Sequence, residues 1–424
     1  MTPAELRERR EALHAAGVAL RRRPACDTLR ALEQVLESWR DPGSAWRRAL
    51  EAQLPAATGY SAQNVRAGLE LGLEHWTGAA LRALVERELG GAERLDATAP
   101  SAVRGFDTTA VLLAGSIPMP TLLALLAPLA LRSPVLAKCA ARDPITAPLV
   151  ARSIAEVDAA LGRCIEVLQL RRGESDCLRA LLEADCVVAT GSDEAVAEIA
   201  AQVRPPRRLV AYGHRLSVAA LAGEATRGER LERAADALAR DVALWDQLGC
   251  LSPIALYVVD GDTDSAERAA HALARALEAL ESRWPLGRVE SAAAAAIAHE
   301  RGAAELREAA GHDVRVHASN TARWTVIREA DAAPRPAPLH RFVRVHPVRG
   351  SSGLLAALAH YAPHLAAVAL EGFDSDDDAL PRALAALGAS RLCRFGAMQA
   401  PPLDWHHDGC GVLTPLARYT DYEL

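Results

Sequence analysis

The sequence predicts an α/β protein with two mainly parallel sheets behind a helical N-terminal region. Three observations support this class. Short apolar runs alternate with helical stretches between residues 110 and 212, a second alternation of the same kind runs from residue 228 to 361, and helical periodicity precedes both. Strands separated by helices form parallel sheets that are covered on both faces. The length of 424 residues suggests two or three domains.

The first 91 residues are predicted to be helical. Leu29, Leu32 and Leu36 recur at helical spacing, and Pro55 interrupts the pattern. The first 27 residues alternate arginine with glutamate and contain no apolar stretch, unlike a secretory signal peptide. We therefore expect the protein in the cytoplasm.

The first sheet is predicted from five apolar runs. They cover residues 110–114, 135–138, 165–168, 186–190 and 209–212. Residues 108–131 contain no charge and are long enough to cross a membrane, but Pro118, Pro120 and Pro128 interrupt them. This segment is therefore predicted to form a buried strand, a turn over 115–120 and an apolar helix from Thr121.

The second alternation predicts a second α/β unit after residue 214. Helices are expected over 228–245, 265–280, 291–299 and 354–361, with strands over 254–259, 324–327 and 342–345. The acidic run 374–378 is expected to be an exposed loop or a helix start.

Composition excludes several functional classes. The net charge of -6 disfavours a nucleic-acid binder, and 50% hydrophobic with 24% charged residues suits a globular protein. The eight cysteines include no C-x-x-C pair, so neither a disulfide framework nor a zinc ribbon is expected. His406, His407, Asp408 and Cys410 resemble metal ligands, but one tight run rarely folds onto a single ion, and we expect no metal.

Lys138 is the sole lysine among 48 lysine and arginine residues. This bias suggests that position 138 requires a compact ammonium, although survival of one lysine by chance is the alternative. Lys138 ends a predicted strand, and ligands of open parallel sheets bind where the strands end. Arg142 follows four residues later and would favour a nucleotide with a 2'-phosphate, unless it is an ordinary surface arginine.

A second candidate for nucleotide contact is the turn Gly191-Ser192. It connects the run 186–190 to a predicted helix, whose first turn would present free backbone N–H groups to a phosphate. A complete G-x-G-x-x-G fingerprint is absent, and the same strand–glycine–helix arrangement occurs in proteins without ligands.

Cys250 lies between a predicted helix and a predicted strand, directly after Gly249. A thiol in such a loop can act as a nucleophile, but a buried cysteine that acts as a small apolar residue is the common alternative. His214 is a candidate acid–base residue, although a histidine that ends a strand is more often structural.

Taken together, four segments resemble the long-chain acyl-CoA reductases (LuxC-like) of the aldehyde dehydrogenase superfamily. They are VLAKCAARDP (135–144), ATGSDE (189–194), YGHR (212–215) and DQLGCLSP (246–253), and the C-terminal QAPPLDWHHDG (399–409) is also similar. The spacings of 53 residues from Lys138 to Gly191 and 59 from Gly191 to Cys250 are similar to those of the superfamily.

The resemblance implies an aldehyde dehydrogenase fold with a Rossmann-type nucleotide-binding domain. It implies a helical region over 1–95, the nucleotide-binding domain over 96–214, a catalytic cysteine domain over 215–398 and a C-terminal segment over 399–424. Cys250 would take the acyl group, and Lys138, Gly191 and Ser192 would contact the cofactor. Ser116 stands where the family usually has asparagine, so the resemblance implies an oxyanion donor with a shorter side chain.

The implied activity is NADPH-dependent reduction of a long-chain acyl-CoA or acyl-carrier thioester to the aldehyde, with NADH as the alternative cofactor. Residues 209–214 contain no glutamate that could activate water, an absence shared with acyl-CoA-using relatives. The rival functions are a cysteine acyltransferase or thioesterase and a silent scaffold for a partner acyl enzyme. We also expect a homo-oligomer, no nucleic acid and no membrane span.

Overall fold

Alternating strands and helices build two separate units in the computed structural model, which describes residues 1–97, 101–170, 173–261, 263–373 and 378–423. The first unit consists of Met1–Thr58, Gly72–His214 and Pro402–Leu424. The second consists of Gly59–Leu71 and Arg215–Pro401. The predicted α/β class with a helical N-terminal region is confirmed.

The helices begin and end at the following residues. They are α1 (Pro3–Leu20), α2 (Ala25–Arg40), α3 (Ala45–Thr58), α4 (Ala62–Gly72), α5 (Gly78–Leu89), α6 (Pro118–Ala130), α7 (Thr146–Val157), α8 (Ala159–Gly162), α9 (Ser175–Leu181), α10 (Asp193–Ala200), α11 (Gly228–Ala243), α12 (Thr263–Glu281), α13 (Ser291–Ala309), α14 (Gly350–Ala359) and α15 (Ala379–Ala386). Local sequence explains several ends: Thr2 and Glu5 form a capping box on α1, and Gly90 ends α5 in a left-handed conformation.

The strands have the following bounds. They are β1 (Ser101–Gly105), β2 (Thr109–Leu112), β3 (Val135–Lys138), β4 (Ile165–Leu168), β5 (Cys186–Thr190), β6 (Arg208–Tyr212), β7 (Leu216–Ala222), β8 (Pro253–Val259), β9 (Arg315–Ala318), β10 (Thr325–Arg328), β11 (Phe342–Val348), β12 (Leu365–Glu371), β13 (Arg391–Cys393) and β14 (Ala417–Asp421).

The first unit contains a five-stranded parallel sheet in the order β4-β3-β2-β5-β6. The chain moves outward from β2 through β3 to β4 and then returns to the other side of β2 with β5. The switch point of the sheet therefore lies between β2 and β5, where ligands of open α/β sheets bind. A separate antiparallel pair joins β1 to β14.

The uncharged segment 108–131 forms β2 and α6, and four of the five leucines of α6 are buried in the first unit. The helix starts at Pro118, three residues before the predicted start, because proline is well tolerated in the first turn of a helix. In the described part of the chain, no helix is long and apolar enough to cross a membrane.

The second unit contains a seven-stranded sheet in the order β13-β12-β7-β8-β11-β10-β9. Its pairs are parallel except for β9 with β10. One core cluster packs Val218, Tyr257 and Val368 of the sheet against Leu354 and Leu358 of α14. This core places the start of β8, and with it the segment that carries Cys250, near the middle of the sheet.

Several expectations for the second unit were incomplete. Strands β7, β9, β12 and β13 were not predicted, and α13 continues ten residues beyond the expected end at His299. Of the acidic run 374–378, only Asp378 lies within the described residues, and it is exposed directly before α15.

Candidate active site

The nucleotide-contact candidates of the first unit lie at one edge of its sheet. Leu112 of β2 pairs with Lys138 of β3 on one side and with Ala189 of β5 on the other. Because these strands are parallel, Lys138 and the turn at Gly191-Ser192 reach the same carboxyl edge, on either side of β2.

Lys138 is half-buried at the end of β3. Its Nζ donates one hydrogen bond, of 3.4 Å, to the carbonyl of Cys139, its one hydrogen-bond partner in the described part of the chain. An ammonium has three N–H donors, so the remaining two are available to ribose or phosphate oxygens. Burial raises the pKa of the neighbouring Cys139 thiol to about 11, which keeps that residue neutral beside the ammonium.

The turn at Gly191-Ser192 presents the start of α10. The Ser192 hydroxyl accepts a hydrogen bond of 3.3 Å from the Ala195 N–H and so caps the helix. An added Cβ at Gly191 would meet only the Ala195 methyl, at 3.4 Å, so one face of the turn is open. A phosphate group fits at such an open, capped helix start.

The YGHR segment (212–215) is hydrogen-bonded to this turn. The Gly191 N–H donates to the Tyr212 carbonyl at 3.1 Å, and the His214 N–H donates to Asp193 Oδ1 at 2.7 Å. A Cβ at Gly213 would lie 2.4 Å from the same Asp193 oxygen, so a larger residue there would have to displace the Asp193 carboxylate. Asp193 was not recognised from the sequence, where it resembles an ordinary acidic residue in a first helical turn.

His214, Ser116 and Arg142 also belong to the first unit. His214 is exposed next to Asp193, Ser116 is buried in the loop that follows β2, and Arg142 is exposed in a tight turn closed by a bridge between Ala140 and Asp143. Asp143 caps α7 through its Oδ1, which accepts from the Thr146 N–H at 2.9 Å. Arg142 therefore lies on a well-defined turn four residues after Lys138, while the roles suggested for all three residues stay predictions.

In the C-terminal run of possible metal ligands, His407 packs against aromatic rings, and the residues just after the run bind Glu88. The His407 ring contacts the Tyr212 ring at a centroid distance of 4.7 Å and the Trp405 ring at 5.1 Å. Glu88 accepts hydrogen bonds from the N–H groups of Val412, Leu413 and Thr414, each at 2.8 Å. Across the described ranges, no group of three or more His, Cys, Asp or Glu side chains is placed to hold a metal ion.

In the second unit, Cys250 is exposed in the turn between a short 3-10 segment, Leu244–Gln247, and β8. Three consecutive residues before it have left-handed backbones, with φ of 55° at Trp245, 50° at Asp246 and 63° at Gln247. Such conformations typically cost about 1–3 kcal/mol each and persist where surrounding contacts hold them, which is common at functional sites.

Asn64 of α4 supplies one set of these contacts. Its Nδ2 donates to the Ala243 carbonyl and to Asp246 Oδ1, both at 2.9 Å, and its Oδ1 accepts from the Trp245 N–H at 2.8 Å. Helix α4 can pack this closely because Gly68 has no side chain. An added Cβ at that position would lie 2.4 Å from the Trp245 ring. One amide side chain therefore pairs two groups of the left-handed segment and the Ala243 carbonyl just before it.

Arg341 supplies a second set. It is fully buried and donates to Asp246 Oδ1 at 2.9 Å and to Glu281 Oε2 at 2.7 Å, while the Gly287 N–H donates to Asp246 Oδ2 at 3.0 Å. Burial raises the pKa of Asp246, and the Arg341 charge opposes that rise. Arg341 itself ends a second left-handed segment, with φ of 64°, so two strained turns support each other.

The Gln247 side chain hydrogen-bonds the left-handed segment to the seven-stranded sheet. Its Nε2 donates to the carbonyls of Pro253 at 2.8 Å and Phe342 at 2.9 Å, and its Oε1 accepts from the Phe342 N–H at 2.8 Å. Pro253 begins β8 and Phe342 begins the adjacent β11. The position of the Cys250 turn is therefore set by the two neighbouring strands.

Gln399 holds the other side of the turn. Its Nε2 donates to Ser252 Oγ and to the Asp241 carbonyl, both at 3.0 Å. The buried Asp241 carboxylate accepts from the N–H groups of Gly396 at 2.6 Å and Met398 at 3.1 Å. Burial raises the pKa of Asp241 to about 7, although these two donors lower it.

Exposure separates Cys250 from most other cysteines. Burial raises the pKa values of Cys139, Cys164 and Cys393 to about 11 and that of Cys186 to about 12, so these thiols stay protonated at neutral pH. Of the eight cysteines, only Cys26, Cys250 and Cys410 are exposed. Among these three, Cys250 follows the left-handed segment held by Asn64, Arg341 and Gln247.

A family model described as acyl-CoA reductase (LuxC) matches residues 22–419. The chain belongs to the LuxC family of acyl-CoA reductases. The reductase is therefore an oxidoreductase of the aldehyde-forming acyl-reducing class. A search of curated proteins found no match.

Solved structures similar to the reductase are aldehyde dehydrogenases and related oxidoreductases. An oxidoreductase from Marinobacter aquaeolei has a TM-score of 0.77 at 14% identity, covering 99% of this chain and 90% of that one. Aldehyde dehydrogenase 21 from Physcomitrella patens, solved with its product succinate, has a TM-score of 0.73 at 13% identity, with coverage of 99% and 90%. An NAD-dependent benzaldehyde dehydrogenase from Corynebacterium glutamicum has 0.72 at 13%, with 99% and 89%. These similarities confirm the aldehyde dehydrogenase fold.

Proposed function

We propose that the reductase converts a long-chain acyl thioester to the aldehyde with NADPH, through an acyl group carried on Cys250. The observation that carries this proposal is the exposed Cys250 thiol after a strained left-handed segment that is held by hydrogen bonds of Asn64, Arg341 and Gln247. Such support fixes the direction of a nucleophile, and well-oriented groups lower reaction barriers substantially.

The first step is acyl transfer. The Cys250 thiolate attacks the thioester carbonyl, a bond forms between its sulfur and the acyl carbon, and the bond to the carrier sulfur breaks. The carrier leaves as a thiolate and takes up a proton. The backbone N–H groups of the Cys250 turn are the proposed donors to the tetrahedral oxyanion.

The second step releases the aldehyde. The first unit would hold the dinucleotide through Lys138 and the turn at Gly191-Ser192, and the bound dinucleotide supplies the hydride. Reduction of the Cys250 thioester yields a thiohemiacetal, which collapses when its oxygen loses a proton and the bond to sulfur breaks. Cys250 is thereby restored, and the products are the aldehyde, the free carrier thiol and the oxidised dinucleotide.

Hydrolysis is disfavoured because β6 and the YGHR turn supply no water-activating carboxylate. A well-placed base typically contributes about 100- to 10,000-fold, so the acyl-enzyme should wait for the nucleotide. His214 ends this stretch and is its one residue with an acid–base side chain near neutral pH. We propose that it does not activate water, so His214→Ala should leave the slow background hydrolysis unchanged.

The test follows the enzyme without nucleotide. After mixing with a long-chain acyl-CoA, intact mass and peptide mapping should show acyl-Cys250 and one equivalent of released coenzyme A, with little free fatty acid. Addition of NADPH should then discharge the acyl group as aldehyde, and excess coenzyme A should reverse the acylation. Parallel assays with NADH and with shorter acyl-CoAs determine the preferred cofactor and chain length.

Two results would contradict the proposal. Rapid, steady release of free acid without nucleotide would identify a thioesterase instead. Transfer of the acyl group to a second acceptor with no nucleotide oxidised would identify an acyltransferase.

A further inference from the structure

In the seven-stranded sheet, the pairing register shifts next to Ser217 with both neighbouring strands. Strand β7 lies between β12 and β8. On the β12 side, Leu216 pairs with Leu365 and Ser217 with Ala367, which leaves Ala366 as an extra residue. On the β8 side, pairing moves from Ser217 with Pro253 to Ala219 with Leu256, so β8 also contains one extra residue. Paired irregularities of this kind are uncommon in the middle of a parallel sheet and are frequent beside active sites.

The Ser217 side chain spans this break. It is completely buried, its hydroxyl donates to the Cys250 carbonyl at 2.7 Å, and its oxygen accepts from the Ala367 N–H at 3.2 Å. One hydroxyl therefore connects strand β12 to the turn that carries the thiol. The extra residues next to Ser217 are what allow its side chain to reach a carbonyl outside the regular ladder.

We propose that Ser217 is a positioning residue for the Cys250 nucleophile. The hydrogen bond to the Cys250 carbonyl restricts rotation of the peptide group that follows the cysteine, and so fixes the direction of the thiol and of the adjoining backbone. Ser217 transfers no proton in the reaction. This inference rests on the proposed function, because it assumes that Cys250 carries the acyl group.

Ser217 differs in its effect from the residues that hold the left-handed segment. Asn64 and Arg341 bind Asp246, four residues before Cys250, and the Gln247 side chain binds Phe342, whereas Ser217 binds the backbone of the nucleophile itself. Loss of its hydroxyl removes the hydrogen bonds to the Cys250 carbonyl and the Ala367 N–H and takes no large side chain out of the core. A displacement of about 1 Å at a reacting group can reduce a rate by about 100-fold.

The test compares Ser217→Ala with Ser390→Ala. Ser390 is a matched control because its hydroxyl donates to the carbonyl of Ala366, the extra residue of β12, at 3.1 Å, while its own N–H also serves that carbonyl at 2.9 Å. In single-turnover mixing with acyl-CoA, Ser217→Ala should form acyl-Cys250 about 10- to 100-fold more slowly, with nearly unchanged nucleotide affinity. Ser390→Ala should acylate at close to the wild-type rate.

Alkylation of Cys250 by iodoacetamide distinguishes a misdirected thiol from a general loss of structure around Cys250. This small reagent needs a thiolate and access but no fixed orientation, so its rate on Ser217→Ala should change far less than the acylation rate. Acylation of Ser217→Ala at the wild-type rate would overturn the inference, as would failure of this variant to fold, since the hydroxyl would then support the whole sheet. If wild-type Cys250 takes no acyl group at all, the proposed function fails, which is a different result.

Discussion

The two candidate regions of the reductase are built in opposite ways. At the sheet edge of the first unit, Ser192 is exposed and Lys138 is half-buried, with one hydrogen bond from its Nζ in the part of the chain that the structure describes. In the second unit, the segment before Cys250 is buried, left-handed and bonded to side chains from several elements. A ligand that must bind and leave needs open donors, whereas a covalent nucleophile needs a fixed direction.

The difference extends to charge. The charged groups of the first site are accessible to water and ligand, so they can exchange partners at little cost. Arg341 in the second unit is fully buried between Asp246 and Glu281. Removing one member of a buried pair leaves the other charge without compensation, which is costly. Substitutions in the first region should therefore change the affinity for nucleotide. Substitutions in the second should change the free energy of unfolding or the rate at which Cys250 is acylated.

The largest effect is expected for Cys250→Ala, which should abolish acyl-enzyme and aldehyde formation while the protein still binds nucleotide. Without the sulfur no thioester can form on the chain. Mass spectrometry after incubation with acyl-CoA measures the first effect, and aldehyde production in the presence of NADPH the second.

The matched controls for this substitution are Cys410→Ala and Cys26→Ala, which remove the other exposed thiols. Both should acylate normally. Cys139→Ala and Cys186→Ala, which remove buried thiols, should alter mainly stability. Stable labelling of any other cysteine in the wild type would refute the assignment of Cys250.

Arg341→Leu should destabilise the protein by about 3–5 kcal/mol, because it leaves Asp246 and Glu281 buried or half-buried without their shared cation. Urea unfolding monitored by tryptophan fluorescence measures this loss. Arg323→Leu is the control, since Arg323 pairs with the same Glu281 at 3.1 Å but its side chain is 41% exposed. The control should lose less than about 1 kcal/mol. Equal losses in the two variants would show that burial of Arg341 is unimportant.

Lys138→Arg should weaken nucleotide binding about tenfold, since a planar fork replaces a compact ammonium at the end of β3. The Michaelis constant for NADPH, or fluorescence quenching on binding, measures the change. Acylation of Cys250 without nucleotide should be unaffected in the same preparation. An unaltered affinity would mean that the single lysine is an accident of composition.

The last prediction concerns the pH dependence of stability and Asp241, whose pKa burial raises from 3.8 to about 7. The folded protein holds this proton more tightly than the unfolded chain, so the resulting stability is complete below about pH 4 and is lost as the pH rises through 7. Melting temperatures between pH 5 and 8 should therefore fall more steeply for the wild type than for Asp241→Asn. Asp236→Asn, an exposed carboxyl on the same helix, should retain the wild-type slope. Parallel slopes for Asp241→Asn and the wild type would contradict the assignment.

Local patterns were sufficient for much of the fold. The strand 135–138 and the strand 186–190 were predicted with the bounds that the structure has, because short apolar runs between helical stretches leave few alternatives. Strand β12, LAAVALE, was missed because alanine and leucine also suit a helix, and one of its two pairing partners, β7, lies far away in the chain. Helix α13 was predicted too short because polar residues follow its alanine run. The helix continues through them because no proline interrupts it.

The sequence by itself determined the family of the reductase, and it singled out the lone lysine, the Gly191-Ser192 turn and the thiol of Cys250, since each belongs to a short segment with its own chemistry. Only the tertiary structure decided what holds that thiol. Asn64 meets Asp246 across 182 positions of sequence, and Ser217 meets Ala367 across 150. No local pattern marks such residues, because their hydrogen bonds exist only after the sheet has assembled and its register has shifted beside Ser217.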